Sequence, residues 1–368
     1  MKTKNIFMGL IVCLSFLLLT GCSEGQQLHQ KLIIQGIGID NSENGYLLTV
    51  QALDFKNPAN EDEPNIKNIE VEGTSLVSAL ENISKKTSLT PVYSQNMIII
   101  IGESIAKNGV NKFMDFFVRH CEARPKVKLC VVEDKASEYF KIKHNNKLIK
   151  AKDIHDLIPD ALNSDILHFV SSLKNKISDP YLACLGTEKS ESEKNIILRG
   201  VAVFSNEVFK SYLHDNDFLG FMILKGVPEC GTCKIHDETL GQITCSVNKV
   251  DSQTRVINDN PDSPSFDINL KVKASAFSID NKFDTCFDEN LKNSIAEKLS
   301  KKITDICYAV IHKTTDMETD ILNLGRTLKN SNPEEFKKIE KEWSQNLSKC
   351  QYNLSANTEV IITGKEPI

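Results

Sequence analysis

The sequence predicts an α+β protein of more than one domain, with mixed β-sheets packed by helices, a long helix in the C-terminal half and a closing β-strand. Three patterns carry the prediction: short apolar runs bounded by turn residues, a helical apolar stripe after residue 288, and two-residue alternation at 267–277 and 354–362. With 40% hydrophobic and 25% charged residues, the composition is that of a folded chain rather than a disordered one.

The chain opens with Lys2 and Lys4, runs apolar from residue 6 to 20, and meets its first acid at Glu24. A basic start, an apolar stretch and small residues before a cut define a secretory signal. The apolar stretch falls short of the roughly 20 residues that a membrane-spanning helix needs, so residues 1–21 read as a cleaved leader. Leu19-Thr20-Gly21-Cys22 resembles the lipobox of bacterial lipoproteins, an apolar residue and two small ones ahead of a cysteine. That resemblance implies a diacylglyceryl thioether on Cys22, acyl chains such as palmitate, and attachment to the outer face of a membrane. The alternative is an ordinary secretory signal with a chance cysteine. A buried methylene contributes about 0.8 kcal/mol and one chain holds only marginally, so stable anchoring takes two or more.

The whole chain carries 44 basic and 49 acidic residues, and loss of Lys2 and Lys4 leaves 42 against 49, a net charge of −7. Phosphate backbones need a clustered positive field, so this balance argues against a nucleic-acid partner. It equally disfavours a polybasic membrane patch, which leaves the anchoring to lipid. After Cys22 come Cys121, Cys130, Cys184, Cys230, Cys233, Cys245, Cys286, Cys307 and Cys350, an odd number that leaves at least one unpaired. Cys130 on a predicted strand and Cys307 on a predicted helix read as small hydrophobes.

Beyond a polar tether at 23–31, the run from Leu32 to Asp40, a turn at 41–45 and the run from Tyr46 to Leu53 predict a hairpin. Residues 57–68, polar with two prolines, predict an exposed loop. Gly73 and an N-cap at Thr74 lead into a helix with Leu76, Ala79, Leu80 and Ile83 at helical spacing. Met97-Ile98-Ile99-Ile100-Ile101, bounded by Gly102, predicts a strand buried on both faces. A second helix is predicted from Ile105 or Asn111 to about Cys121, with Phe113, Phe116 and Phe117 on its apolar side, and residues 127–132 predict the next strand.

Residues 134–180 read as mostly helical, and the polar stretch 186–194 has no periodicity, so the main boundary is placed there. The expected organisation is an N-terminal α+β domain over 22–195 and a C-terminal α+β domain over 196–368, the first with room to subdivide, giving three. The second half restarts with an apolar strand at 196–204. At 267–277, Ile268, Leu270, Val272, Ala274 and Ala276 share one face and polar residues the other, a strand with one wet side. Leu291, Ile295, Leu299, Ile303, Ile306 and Val310 describe a helix over 288–314 whose stripe is read as packing on its own sheet rather than on a partner helix.

Several motifs recur in a recognisable order. They are Gly36-Ile37-Gly38-Ile39-Asp40, Gly73-Thr74-Ser75-Leu76, Ile98 to Gly102, Ala106 with Gly109, and Arg119-His120-Cys121-Glu122-Ala123-Arg124. Gly200-Val201-Ala202-Val203-Phe204 follows, then Asp320-Ile321-Leu322-Asn323-Leu324-Gly325, a charged helix with Trp343, and a strand running to Thr363-Gly364. Together with the lipobox, this order resembles the Ger(x)C family, the C subunits of spore germinant receptors. Leu324 stands where that family commonly has an aromatic, and Cys230-Gly231-Thr232-Cys233 is not a feature of it. The resemblance implies a noncatalytic, lipid-anchored subunit that acts with two integral membrane subunits, A and B. One of these carries a large soluble domain and the other is similar to amino-acid permeases. The assembly senses nutrients at the spore inner membrane and triggers germination. No binding residue carries over.

Among constellations with chemistry, Cys230, Cys233, His236 and Cys245 suit tetrahedral zinc by ligand type, and Cys230-x-x-Cys233 is equally a disulfide or two thiols in a turn. A nucleophilic thiol would need a base, for which His236 is the local candidate. Gly36-x-Gly38 lacks the third glycine of a phosphate loop and reads as a strand with two small residues. His144 and His155 lie among charged residues like a solvated surface. No catalytic residue and no cofactor is predicted. The competing functions are a solute-binding lipoprotein of a transporter and an exported thiol or zinc protein.

Overall fold

In the computed structural model, the structure describes residues 30–55, 65–110, 113, 124–175, 177–190, 193–280 and 289–362. The leader, Cys22, Cys121, Cys286 and most of the helix expected up to Cys121 lie outside the described residues.

β1 (Lys31–Ser42) and β2 (Gly45–Asp54) form the expected hairpin, and β3 (Asn65–Gly73) pairs antiparallel with β2. β3 begins inside the stretch expected to be loop as far as Asn68. That residue sits in a strand because its side-chain amide donates to the Phe140 carbonyl at 2.5 Å while its oxygen accepts from Gln51 at 3.2 Å. α1 (Leu76–Thr87) is capped by Ser75 rather than Thr74. The Ser75 hydroxyl accepts from Ser78 N–H at 3.1 Å and the Ser78 hydroxyl from Ser75 N–H at 3.0 Å, a reciprocal box.

β4 (Thr90–Val92), β5 (Ile98–Gly102), α2 (Glu103–Lys107) and β6 (Lys128–Val132) follow, with β5 and β6 buried throughout. The expected helical stretch holds α3 (Ala136–Lys141), the small hairpin β7 (Lys143–His144) and β8 (Lys147–Leu148), α4 (Ala151–Asp156) and α5 (Ile166–Lys174). β9 (Tyr181–Ser190), β10 (Glu193–Ser205) and β11 (Val208–His214) then complete a nine-stranded sheet of order β11-β10-β9-β6-β5-β1-β2-β3, with β4 beside β1. Its centre is parallel and both flanks are antiparallel hairpins. Central parallel strands are covered on both faces, hence their unbroken apolar runs.

The described residues of the polar stretch 186–194 are therefore the paired ends of β9 and β10. Its side chains at 188–190 are exposed, so nothing imposes an apolar period there. The boundary expected at 195/196 falls within β10, and the sheet continues across it.

The second half contributes α6 (Asp215–Leu224), β12 (Gly231–Asp237), β13 (Gly241–Asn258), β14 (Ser265–Ile279), α7 (Glu289–Asp316), α8 (Leu324–Ser331), α9 (Pro333–Ile339), α10 (Trp343–Asn346) and β15 (Gln351–Ile362). β12, β13 and β14 run antiparallel, and β15 returns parallel to β14 after the helices. The even-numbered residues from 266 to 276 on β14 are buried and α7 lies against them with Ile295, Leu299, Ile303, Ile306 and Val310, so the stripe packs on its own sheet. Gly220 on α6 sits against α7, where a Cβ would lie 2.7 Å from Ile306 Cγ2.

One face of the large sheet packs on α1, α2 and α5. The other face, together with α3, α4 and α6, shares one continuous core with the second sheet and α7. A smaller cluster around Phe336 and Trp343 closes the end where α8, α9 and α10 meet β14.

Candidate functional site

Gly36-Ile37-Gly38-Ile39-Asp40 lies on β1, with Ile37 and Ile39 in the core under α1 and α2. On the opposite face, a Cβ at Gly36 would lie 2.8 Å from Phe140 Cε1 and 2.9 Å from the Ala151 Cβ, and one at Gly38 would lie 3.1 Å from Phe140 Cε2. The two glycines thus let α3 and α4 rest directly on the strand. Asp40 completes the contact: Oδ1 accepts from Ala136 N–H at 2.7 Å and Oδ2 from Ser137 N–H at 2.9 Å. A carboxylate over the unpaired N–H groups of a first helical turn satisfies both partners. Burial nevertheless raises the Asp40 pKa against the pull of these donors. The motif is a packing device, as its missing third glycine suggested.

A second buried carboxylate organises the other end. Asp320 Oδ1 accepts from Leu324 N–H at 2.9 Å, and Oδ2 accepts from Gly325 N–H at 2.7 Å and from Trp343 Nε1–H at 2.9 Å. Gly325 is required by close approach, since a Cβ there would collide with Trp343 Nε1 and lie 2.9 Å from Ile177 Cγ2. Asp320 N–H donates to Asp179 Oδ2 at 2.8 Å while Asp179 N–H donates back to the Asp320 carbonyl at 3.0 Å. Asn206 N–H donates to the other Asp179 oxygen at 3.2 Å. Burial raises both aspartate pKa values despite these donors. The result is a clasp joining the segment ahead of β9 to the segment behind α7. Asp320, Gly325 and Trp343 were among the motif residues, whereas Asp179 was not singled out. Its signal was an acid before Pro180, an extended position immediately ahead of an apolar strand.

The zinc set is not brought together. Cys233 and Cys245 are cross-strand partners on β12 and β13 with both side chains buried, but His236 is exposed on the opposite face of β12. A three-residue spacing on a strand forces that separation. Among the described residues, no three His, Cys, Asp or Glu side chains are arranged to hold a metal ion. Burial pushes the thiols of Cys230 and Cys245 up to about 12 and that of Cys233 to about 11. Cys307, which closes on the same cluster, is raised further for the same reason. These thiols, with Cys130, Cys184 and the half-buried Cys350, are free, and as protonated groups they behave as small hydrophobes. His144 pairs with Glu193 and His155 with Asp156 at the surface.

The geometry gives each buried carboxylate backbone or indole donors and keeps each buried thiol protonated, an arrangement that holds segments together. Comparison with known proteins agrees in extent. Residues 24–187 match the family described as Spore germination protein N-terminal domain, and residues 199–364 match Spore germination B3/GerAC like, C-terminal. Spore germination protein KC of Bacillus subtilis (strain 168) is 22% identical over 398 aligned positions, covering 98% of this chain and 96% of that protein. The crystal structure of the GerBC protein superposes with a TM-score of 0.58 at 20% identity, over 92% of this chain and 100% of that one, which establishes the shared fold.

Proposed function

Because this chain belongs to the Ger(x)C family of spore germination proteins, we propose that it works as the lipid-anchored, noncatalytic C subunit of a nutrient germinant receptor. Its place is the outer face of the spore inner membrane, beside two integral membrane subunits. The observation that carries this reading is the two family units in order, together spanning nearly all of the chain after a lipobox-like Leu19-Thr20-Gly21-Cys22. Among the described residues no helix is long and apolar enough to cross a membrane, which is consistent with attachment through Cys22.

The two family units meet at the β9–β10 hairpin, and we take them as the functional halves of the chain. A solute-binding lipoprotein would repeat βαβ units in two lobes, whereas the second half here is an antiparallel β12-β13-β14 meander with one parallel return strand. The test is Cys22→Ala in the host. The substitution is expected to abolish acyl labelling, to release the chain from the spore membrane fraction and to weaken nutrient germination without unfolding the protein. Retention of both acyl label and membrane association would refute the anchor. Failure of the intact chain to co-purify with two membrane subunits would refute the receptor role.

A further inference from the structure

Between the C-terminal half of α5, the start of β9 and the Asn323–Arg326 segment lies a cleft of about 270 Å³. It borders the Asp179–Asp320 clasp, with α5 and the segment after it on one side, and Lys225 at the end of α6 and the start of α8 on the other. Ser171, Ser172 and Ser178 line the first side, and Lys225 and Arg326 line the second. The lining is mostly polar, with Phe169, Tyr181 and His168 as its aromatic members, the His168 ring held by Asp165 at 2.8 Å.

The charges in this cleft do not balance. Among the described residues, neither Lys225 nor Arg326 has a carboxylate partner, although ion pairs are frequent elsewhere on the molecule. The Lys225 ammonium lies 5.4 Å from the centre of the Tyr181 ring, a weak partner for a half-buried charge. Asp179 is the acid in the lining, and both its oxygens already accept backbone N–H groups. Burial accordingly pulls the Lys225 pKa down, with Asp320 opposing it. A half-buried cation without a direct ion pair loses solvation that a bound counter-charge restores.

We propose that this cleft is a binding site for a small hydroxylated carboxylate, with Lys225 and Arg326 taking the carboxylate and the serines of the α5 wall taking the hydroxyls. A compact tetrahedral anion would accept from the cations and serines but carries few donors for the hydroxyl and amide oxygens of the lining, so the polar lining favours the hydroxy acid. Such a ligand bridges the two halves of the chain beside the clasp. The site goes beyond the receptor role and is tested separately from it, by binding to the purified chain rather than by germination.

The test is calorimetric titration of the full chain in detergent with L-malate, and with inorganic phosphate and succinate as comparison arms. Saturable one-to-one binding of malate, tighter than that of phosphate and of the unhydroxylated succinate, is expected. Lys225→Met should weaken it at least about tenfold, the loss of one charge-assisted partner. Arg326→Gln removes an exposed side chain and tests the same contact without burdening the fold, while Trp343 fluorescence verifies that both variants are native. Malate binding that is absent, that does not exceed phosphate and succinate, or that is unchanged in both variants would overturn the proposal.

Discussion

Asp320→Asn tests the clasp at its centre, and the chain carries its own reporter, because Trp343 is the single tryptophan. The carboxylate accepts three N–H groups, two on Oδ2 and one on Oδ1. An amide has one oxygen, so its best orientation keeps Gly325 and Trp343 and turns an NH2 toward Leu324 N–H. Losing one bond to a buried charge costs about 1.5–3 kcal/mol, and converting two others to neutral bonds costs about 1 kcal/mol more. Removing the burial penalty that raises the Asp320 pKa offsets part of this, leaving a net loss of about 2 kcal/mol. With a urea slope of about 2–3 kcal/mol/M, the unfolding midpoint should fall by roughly 0.7–1 M. Trp343 emission should change in the native state, because a neutral amide replaces the charge beside an indole only 1% exposed. A pH arm separates charge from shape. With its folded pKa above 3.8, Asp320 costs stability as pH rises through the folded value, and the Asn variant lacks that slope. An unchanged midpoint together with unchanged emission would refute the clasp.

The two glycines of β1 should rank by their clearances: Gly36→Ala costs about 1–3 kcal/mol and Gly38→Ala less, as measured by thermal unfolding, and equal or reversed losses would contradict the packing of Phe140. Asp237 is held at about 2, first by Lys298 at 2.6 Å and then by Leu240 and Thr239 N–H groups. Its contribution is therefore full above pH 3.8 and is lost as pH falls toward 2, so the stability gap between the wild type and Asp237→Asn should close across that window. A gap that stays constant on acidification would exclude the Lys298 contact as its source. His236→Ala should leave both metal content and stability unchanged within about 0.5 kcal/mol, and one zinc per chain that disappears in this variant would reverse the reading of the thiol cluster.

The elements that could be read directly from the sequence are those whose environment is uniform. Ile98 to Ile101 see apolar neighbours on both faces, α7 sees one continuous core, and β14 has one dry and one wet side, so each leaves an unbroken period. β3 escaped because it is an edge strand beside an acidic loop, and Lys67, Asn68, Glu70 and Glu72 dilute its apolar positions. β12 and β13 escaped for another reason. The register shift at Val247/Lys249 breaks the two-residue period of β13, and without the strand assignment the Cys233-x-x-His236 spacing looks like a metal pair. The polar stretch 186–194 hid the β9–β10 hairpin because its exposed end carries no apolar code. The cleft was invisible because its residues come from four separated segments.

The motif residues share one physical device. In each half a buried aspartate accepts N–H groups from the first turn of a helix, Asp40 from Ala136 and Ser137, Asp320 from Leu324 and Gly325. In each half a glycine makes the room: a Cβ at Gly102 would overlap Asp40 Oδ1, and one at Gly325 would displace Trp343. Such positions tolerate no larger residue and no weaker acceptor, so they stand out in the sequence because the architecture demands them. The cleft obeys the opposite rule. Among the described residues, Lys225 leaves a half-buried charge without an ion pair, which destabilises the fold and is retained at a cost unless something else is gained. Substitutions in the motifs will therefore report on folding, and substitutions that neutralise Lys225 or Arg326 are the ones that separate function from stability.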